Sequence, residues 1–206
     1  QPTIVSVKSK VDLFPEENRY QVKGTYELIN NSEKPIDSLL LYIDRNSKLT
    51  SVEIPNSKNL DDVATFHHYW FRLEKPLMPQ QKLKMNFSFE SSWSPFKGHT
   101  SFNSIIENGS FMRISRYFPL FGYQESNEIS SKKERAKRHL KHQTPLKKLE
   151  DKYEIKYDFI DYDAVVSTSK NQTAIGVGDL IGNWKKDDRN YFHYKSNGKI
   201  PFRFAF

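Results

Sequence analysis

Residues 83–90 have the sequence LKMNFSFE, in which apolar and polar side chains alternate without interruption. Successive side chains of a β-strand point to opposite faces, so this period of two places Leu83, Met85, Phe87 and Phe89 together on one face. An α-helix presents one face only every third or fourth residue, and it could not bury these four side chains together. The stretch therefore predicts a half-buried strand of an antiparallel sheet.

Two further alternating runs lie near the start of the chain, on either side of a turn at residues 15–18. The side chains expected to face inward are Val5, Val7, Val11 and Leu13 in the first run, and Tyr20, Val22, Gly24, Tyr26 and Leu28 in the second. Because the connection is short, we expect the two runs to pair as antiparallel strands.

Short strand signals continue along most of the chain. Residues 39–43 are apolar on both faces, which is typical of a central strand. Other predicted strands cover residues 49–54, 66–73, 153–159, 164–168, 174–177 and 191–195, with a turn at Asn197 and Gly198 and a last alternating run at 200–206. Residues 93–128 lack a period. The pattern predicts an all-β fold, an open, saddle-like antiparallel β-sandwich.

The composition suits one compact domain. A chain of 206 residues can bury roughly 70% of its unfolded surface without disulfides. The absence of cysteine excludes a disulfide framework, a thiolate zinc site and a cysteine nucleophile. Apolar runs stay well short of the roughly 18 residues of a membrane span. The chain starts at Gln1 rather than Met, and we expect it to be a soluble piece of a longer protein.

The net charge of +7 is concentrated between residues 132 and 148. That segment contains eight basic residues and one acid, Glu134, whereas the rest of the chain has 24 basic and 24 acidic side chains (32 − 8 and 25 − 1). A helix is predicted over residues 132–142, capped by Ser130 or Ser131 and ended before Pro145. We expect an exposed excursion at about residues 130–150, with Lys137, Arg138 and Lys141 as a possible partner surface.

The basic segment has no aromatic side chain on which a base could stack, so we expect no nucleic-acid partner. An alternative remains open, in which the chain is a stand-alone β-sandwich that uses this segment to bind an acidic partner or nucleic acid.

The six histidines do not predict a metal site. His67 and His68 are adjacent and would point to opposite faces of a strand. His139 and His142 lie among cations, and His99 and His193 are isolated. A His-Glu-x-x-His motif is absent from the sequence.

Motifs for other chemistries are equally weak. The glycines at 176, 178 and 182 have one residue too many for a dinucleotide loop, and a glycine-rich β-turn is the better interpretation. Asp161 and Asp163 share one face of a strand and could form a carboxylate pair, but a solvated sheet edge is expected. Phosphate-loop and serine-elbow motifs are missing.

Several segments, taken in order, resemble the amino-terminal domain of the aminopeptidase N family of zinc metallopeptidases. They are IVSVKSKVDL at 4–13, YQVKGTY at 20–26, NNSEKPID at 30–37 and LMPQQKLKMNFSF at 77–89. The segments FSFESSW at 87–93, IENGSF at 106–111, FPLFGYQ at 118–124 and AVVSTS at 164–169 are most similar to a bacterial subgroup in which the peptidase-like module is fused to an ABC transporter permease.

The resemblance implies that residues 1–206 form one N-terminal, non-catalytic β domain that packs on a zinc aminopeptidase-like domain and walls its peptide-binding cleft. The family's His-Glu-x-x-His and Gly-x-Met-Glu-Asn motifs would follow Phe206, so zinc is expected there and no cofactor in this chain. Glu107 and Asn108 stand near the place of a family segment that contacts substrate. The parent protein is expected to be membrane-bound, with this domain on the extracytoplasmic side.

The last residues carry one more expectation. Ile200, Phe202, Phe204 and Phe206 alternate along a strand that would lead directly into the catalytic domain. Without that domain, we expect the end to be frayed, paired with another copy or left as an exposed apolar edge.

Overall fold

The computed structural model describes residues 1–63, 67–93, 105–124, 127–141 and 158–206. The chain divides into two compact units, one made of residues 1–122 and 158–206 and the other of residues 123–157. The second unit encloses the basic segment.

The first unit is built from strands. In the described ranges these are β1 (Thr3–Phe14), β2 (Arg19–Ile29), β3 (Ile36–Tyr42), β4 (Lys48–Glu53), β5 (Ser57–Val63), β6 (His68–Leu77), β7 (Lys82–Ser92), β8 (Leu120–Phe121), β9 (Phe159–Ser169), β10 (Asp179–Lys186), β11 (Arg189–Lys195) and β12 (Ile200–Pro201). Short 3-10 turns lie at Pro15–Glu17 and Ile114–Arg116.

Two sheets result from this order. The large sheet runs β10-β11-β9-β1-β2-β7-β4, with β12 beside β9, and the small sheet runs β5-β6-β3-β8. Among the described strands, only β1 and β9 pair in parallel. The all-β prediction is confirmed: the architecture is a sandwich of two mainly antiparallel sheets that do not close into a barrel.

The core lies on the inward face of β1, β2 and β7. As predicted, β1 and β2 pair antiparallel along their whole length, and β2 pairs with β7. The inward residues of these strands form one hydrophobic cluster with those of the small sheet; its fully buried members include Val7, Val11, Tyr20, Tyr26, Leu28, Leu39, Leu41, Ile43 and Met85. The alternating stretch at residues 83–90 is therefore the inner-facing strand that its sequence predicts.

One residue of β1 departs from the predicted pattern. The register shifts between Ile4 and Ser6, so Val5 is an extra residue in a β-bulge. Ile4 is buried, whereas Val5 is only partly buried. The prediction that Val5 faces the core was wrong. The extra residue of the bulge changes the alternation, so that the inward residue before it is Ile4 and the inward residue after it is Val7.

The strands after residue 157 also differ from the prediction. Residues 159–169 form one continuous strand, and residues 174–177, predicted as a strand, are irregular. Gly178 lies in a turn with a φ of 96°. Gly182, which was predicted to belong to the same glycine-rich turn, lies instead in strand β10. Asp187 and Asp188, both with positive φ, close the β10–β11 hairpin. Of the strand predicted at 153–159, residues 153–157 lie outside the described residues.

The last residues are held by the chain itself. Phe204 is 1% exposed, and its ring meets that of Phe118 edge-to-face at 5.0 Å between centroids. The backbone N–H of Phe206 donates to the carbonyl of Met112 at 2.9 Å, and the Met112 N–H donates back at 2.8 Å. The expectation of a frayed or exposed apolar end was wrong, because residues 112–118 cover it.

Gly24 illustrates how tightly the large sheet packs on its core. A Cβ at Gly24 would come within 2.3 Å of the Phe87 ring, which lies 4.5 Å from the ring of Tyr26 between centroids. Glycine is therefore required in the middle of β2 by the close approach of an aromatic ring from β7.

We expect Gly24→Ala to lower the free energy of unfolding by about 1–3 kcal/mol, because Phe87 would have to leave its position. The matched control is Gly182→Ala, also within a strand, where a Cβ would meet nothing within 4 Å. That variant should stay within about 0.5 kcal/mol of the parent in chemical denaturation. Equal effects of the two substitutions would contradict the packing argument.

Asp158 generates a pH dependence of stability. Its Oδ2 accepts the backbone N–H of Ile4 at 2.8 Å, but burial raises the pKa of its carboxyl above the ordinary value. A raised carboxyl pKa means that the folded state binds the proton more tightly, so this group contributes more stability at low pH and less as pH rises through the two pKa values.

Asp158→Asn removes the charge and keeps an oxygen that can accept from Ile4. We expect the variant to unfold at a higher temperature than the parent at pH 7, with the difference vanishing below the ordinary aspartate pKa of about 3.9. Thermal unfolding followed by circular dichroism from pH 3 to 7 tests this. A variant less stable than the parent at pH 7 would show that the carboxylate charge is favourable there.

Candidate functional site

A cleft of about 580 Å³ opens at one end of the first unit. Its walls come from residues 105 and 108–112, from the loop at 172–177 and from the last two residues of the chain, and we call it the Asn108 cleft. Its apolar lining includes Leu13, Ile105, Met112, Val177 and Phe206, and its polar lining includes Asn108, Ser110, Thr168 and Gln172. A mostly apolar hollow with a few polar groups is typical of a binding site.

Gln172 holds the two loops of the cleft together. Its Nε2 donates to the Glu107 carbonyl at 2.8 Å, and its Oε1 accepts from the Thr168 hydroxyl at 2.7 Å. The Asn190 Nδ2 donates to the Gln172 carbonyl at 2.8 Å. Gln172 was not singled out from the sequence, because its partner Glu107 lies 65 residues away in the chain.

The turn at residues 106–110 positions Asn108. The Ile106 N–H donates to the Ser110 hydroxyl at 2.9 Å, and the Gly109 N–H donates to the Ile106 carbonyl at 3.3 Å. Asn108 is exposed and lines the cleft, whereas Glu107 takes part through its backbone carbonyl and its side chain is exposed outside the lining. Of the two residues singled out in the sequence, Asn108 lines the cleft and Glu107 does not.

Large apolar side chains stand uncovered beside this cleft. Phe111 is 76% exposed and Ile175 is 75% exposed. Both belong to the lining. Neighbouring exposed apolar side chains of this size at a concave surface mark a place where another surface or ligand binds.

The described residues contain no group of three or more potential metal ligands. The His68 ring lies tilted against that of Tyr42, with 5.0 Å between centroids, and His67 lies in a turn with a φ of 55° rather than in a strand. His193 is not isolated as expected, since its Nε2 lies 2.7 Å from the Asp163 Oδ1 across the β9–β11 ladder. His99 and His142 lie outside the described residues.

Asp161 and Asp163 of β9 do not form the carboxylate pair that the sequence left possible. Asp163 is bonded to His193, and Asp161 is exposed to solvent. Both carboxylates do share the outward face of the strand, as predicted, which is the solvated face of the large sheet.

The second unit contains the short helix α1 (Lys132–Lys137). The Ser131 hydroxyl caps it by accepting the Glu134 N–H at 3.4 Å, as predicted. It ends earlier than the predicted limit at residue 142, because His139 adopts a φ of 53°, a left-handed conformation that cannot continue an α-helix. None of the helices in the described ranges has both the length and the apolar character to cross a bilayer.

Arg135 organises this unit. Its side chain is 11% exposed and binds Glu128 at 2.7 Å, while its Nε and Nη2 donate to the Lys141 carbonyl at 2.9 and 2.7 Å. A hydrogen bond from Tyr123, followed by the contact with Arg135, lowers the pKa of Glu128. Sequence reasoning counted Arg135 only as one positive charge and missed this structural role.

The three cations proposed as a partner surface are all exposed. Arg138 pairs with Glu134 one turn earlier in the chain, whereas Lys137 and Lys141 point to solvent. Of the three, Arg138 has its charge balanced by a neighbouring carboxylate.

Comparisons with known proteins show the fold alone. No protein-family model matches the chain, and the search of curated proteins found no match. Among solved structures, the chain is similar to an M1 zinc metallopeptidase from Deinococcus radiodurans, with a TM-score of 0.63 at 9% identity, covering 99% of this chain and 42% of that one. A form of that enzyme with a bound Tyr-Ser-Ala substrate gives a TM-score of 0.62 at 10% identity.

Aminopeptidase A of Legionella pneumophila, in complex with aspartic acid, is also similar, with a TM-score of 0.58 at 10% identity over 99% of this chain and 21% of that one. The chain thus spans less than half the length of these proteins, and nearly the whole of it shares their fold.

We expect Arg135→Ala to loosen residues 128–141, because it removes one ion pair and both side-chain bonds to the Lys141 carbonyl. Backbone amides from 134 to 141 should exchange about tenfold faster or more, as measured by hydrogen exchange and mass spectrometry. Lys137→Ala removes one positive charge from the exposed side of the same helix and should leave these rates unchanged. If both variants behave alike, Arg135 has no organising role.

Proposed function

We propose that this chain is the non-catalytic, N-terminal scaffold domain of a zinc aminopeptidase-like protein, and that it packs on the catalytic domain and walls one side of its peptide-binding cleft. The observation that carries the proposal is the fold match, which takes in 99% of this chain and 42% of an M1 zinc metallopeptidase. The order of sequence segments that resembles the aminopeptidase N family supports the same assignment.

The Asn108 cleft is the surface that suits this role. Phe111 and Ile175 expose apolar area that a neighbouring domain would cover, and burial of a large apolar side chain contributes roughly 1.5–3 kcal/mol. Asn108 sits among them with an amide that both donates and accepts hydrogen bonds. In the proposal, the apolar rim packs on the catalytic domain and the Asn108 amide hydrogen-bonds the backbone of a bound peptide.

Zinc is not assigned to this chain. The described residues do not bring three potential ligands together, so they do not fit a structural or catalytic zinc site. In the proposal, the catalytic domain that follows Phe206 would hold the metal, and residues 1–206 would only position the peptide.

The proposal extends to the longer protein of which this chain would be one domain. Residues 106–111, 118–124 and 164–169 are most similar to the bacterial subgroup fused to ABC transporter permeases. We include in the proposal a membrane-bound parent of this kind, with the β domain on the extracytoplasmic side.

The second candidate function is that of a stand-alone binding module that uses the basic segment. The exposure of Lys137 and Lys141 favours it. It predicts a mobility shift with a single-stranded oligonucleotide that falls steeply with salt and is lost in a Lys137→Ala, Arg138→Ala, Lys141→Ala variant. The scaffold proposal predicts no shift at physiological salt.

The experiment compares residues 1–206 with a longer product of the same gene that continues past Phe206. Hydrogen exchange should slow at residues 105–113 and 172–177 in the longer protein, because the catalytic domain covers them. Residues 21–25 of β2, in the large sheet, are the internal control and should not change. The longer protein should hold zinc and cleave an aminoacyl reporter, and residues 1–206 should do neither.

Matched substitutions in the longer protein locate the contact. Phe111→Asp should lower its thermal stability, because the carboxylate would be buried against the catalytic domain. Leu60→Asp, at an apolar side chain 55% exposed on β5, is the control and should have little effect. Unchanged exchange at 105–113, or tight zinc binding by residues 1–206 alone, would overturn the proposal.

A further inference from the structure

Strand β10 forms one edge of the large sheet and is almost entirely uncovered. It pairs with β11 on one side, and in the described part of the chain no strand pairs with its other side. Every residue of β10 except Gly182 is exposed, including Leu180 at 47%, Ile181 at 53% and Trp184 at 43%. A long apolar edge strand is a template for a further strand.

The two faces of β10 follow from its register with β11. A bulge at Ile181 separates Leu180, which faces Tyr194, from Gly182, which faces His193. The outward face of the sheet therefore carries His193 of β11 together with four residues of β10: Asp179, Gly182, Trp184 and Lys186. The inward face carries Tyr194 of β11 together with Leu180, Asn183 and Lys185 of β10.

This pattern is complementary to itself. If two copies of β10 run antiparallel about a two-fold axis at Asn183, Gly182 of each lies opposite Trp184 of the other. Because each strand has one extra residue at Ile181, the next pairs are Leu180 with Lys185 and Asp179 with Lys186. Each pair joins side chains of the same face, as an antiparallel ladder requires.

The chemistry of these pairs is favourable at each position. Asp179 and Lys186 are opposite charges, and the pair occurs twice across the axis. Gly182 has open space where a Cβ would stand, with no atom within 4 Å, and the Trp184 ring of the other copy would cover it. The apolar stem of Lys185 would lie along Leu180 of the other copy. A slip by one residue would break the match of faces.

We propose that β10 pairs with β10 of a second copy of this chain, joining two large sheets into one continuous sheet across a two-fold axis. The contact is isologous, so it closes at a dimer and does not extend into a fibre. One pair of eight-residue strands makes a small interface, and the dimer is a weak, concentration-dependent one. The inference is independent of the proposed function.

A charge exchange tests the register directly. Sedimentation equilibrium of residues 1–206 from about 10 µM to 1 mM should show a monomer–dimer equilibrium. Asp179→Lys places a lysine opposite Lys186 of the other copy, and Lys186→Asp places an aspartate opposite Asp179; each like-charged pair occurs twice across the axis. Each single variant should weaken the dimer by roughly tenfold or more, and the double variant should restore it to within about threefold.

The controls separate association from folding. Glu53→Lys makes the same charge change on β4, the opposite edge of the sheet, and should leave the dimer unchanged. Thermal unfolding at a concentration where the chain is monomeric shows whether each variant is folded. Asp179 lies opposite Lys195 within the chain, so Asp179→Lys also places like charges together in the hairpin. Lys186 lies opposite Arg189, so Lys186→Asp places opposite charges there and leaves the hairpin intact.

Restored association in the double variant supports the paired register. A strictly monomeric chain at about 1 mM overturns the proposal, and so does a dimer that tolerates both single variants as well as it tolerates Glu53→Lys. Binding of an unrelated extended peptide to β10 in place of a second copy would also overturn it.

Discussion

The Phe87 ring lies against the bare backbone of Gly24 at the centre of the large sheet, and the aromatic core extends from this contact. Tyr26 packs on Phe87 at 4.5 Å between ring centroids, and Phe118 meets Phe87 edge-to-face at 5.6 Å. Phe118 in turn meets Phe204. Through these rings, the middle of β2 and β7 is connected to the loop at 112–118 and to the last residues of the chain.

The parallel pairing of β1 with β9 connects the beginning of the chain to its last quarter. Asp158 accepts the Ile4 N–H at one end of this pairing, and the Ser167 hydroxyl donates to Asp12 near the other. Residues more than 150 positions apart thus become neighbours in one sheet. The Asn108 cleft depends on this closure, since its second wall, at 172–177, follows β9 directly and reaches the first wall through Gln172.

The surfaces of the first unit differ in chemistry. The cleft is apolar, with a few amide and hydroxyl groups, whereas the outward face of the large sheet is polar, with the His193–Asp163 pair and many lysines. Exposed apolar side chains include Phe111 and Ile175 at the cleft rim, and Leu180, Ile181 and Trp184 along β10. In the two proposals, the first set contacts a neighbouring domain and the second contacts another copy of the chain.

The sequence alone determined the strands whose two faces meet different surroundings. Residues 20–28 and 83–90 alternate because one face packs on the core and the other meets water, so their period is visible locally. Strand β10 was missed because both of its faces are exposed, and β5 because its sequence, SKNLDDV, has no apolar alternation. The burial of Phe204 and the roles of Gln172 and Arg135 were decided only by the tertiary structure. The contacts of these three residues join segments that are distant in the sequence or lie in loops. A periodic pattern along the chain carries no information about such contacts.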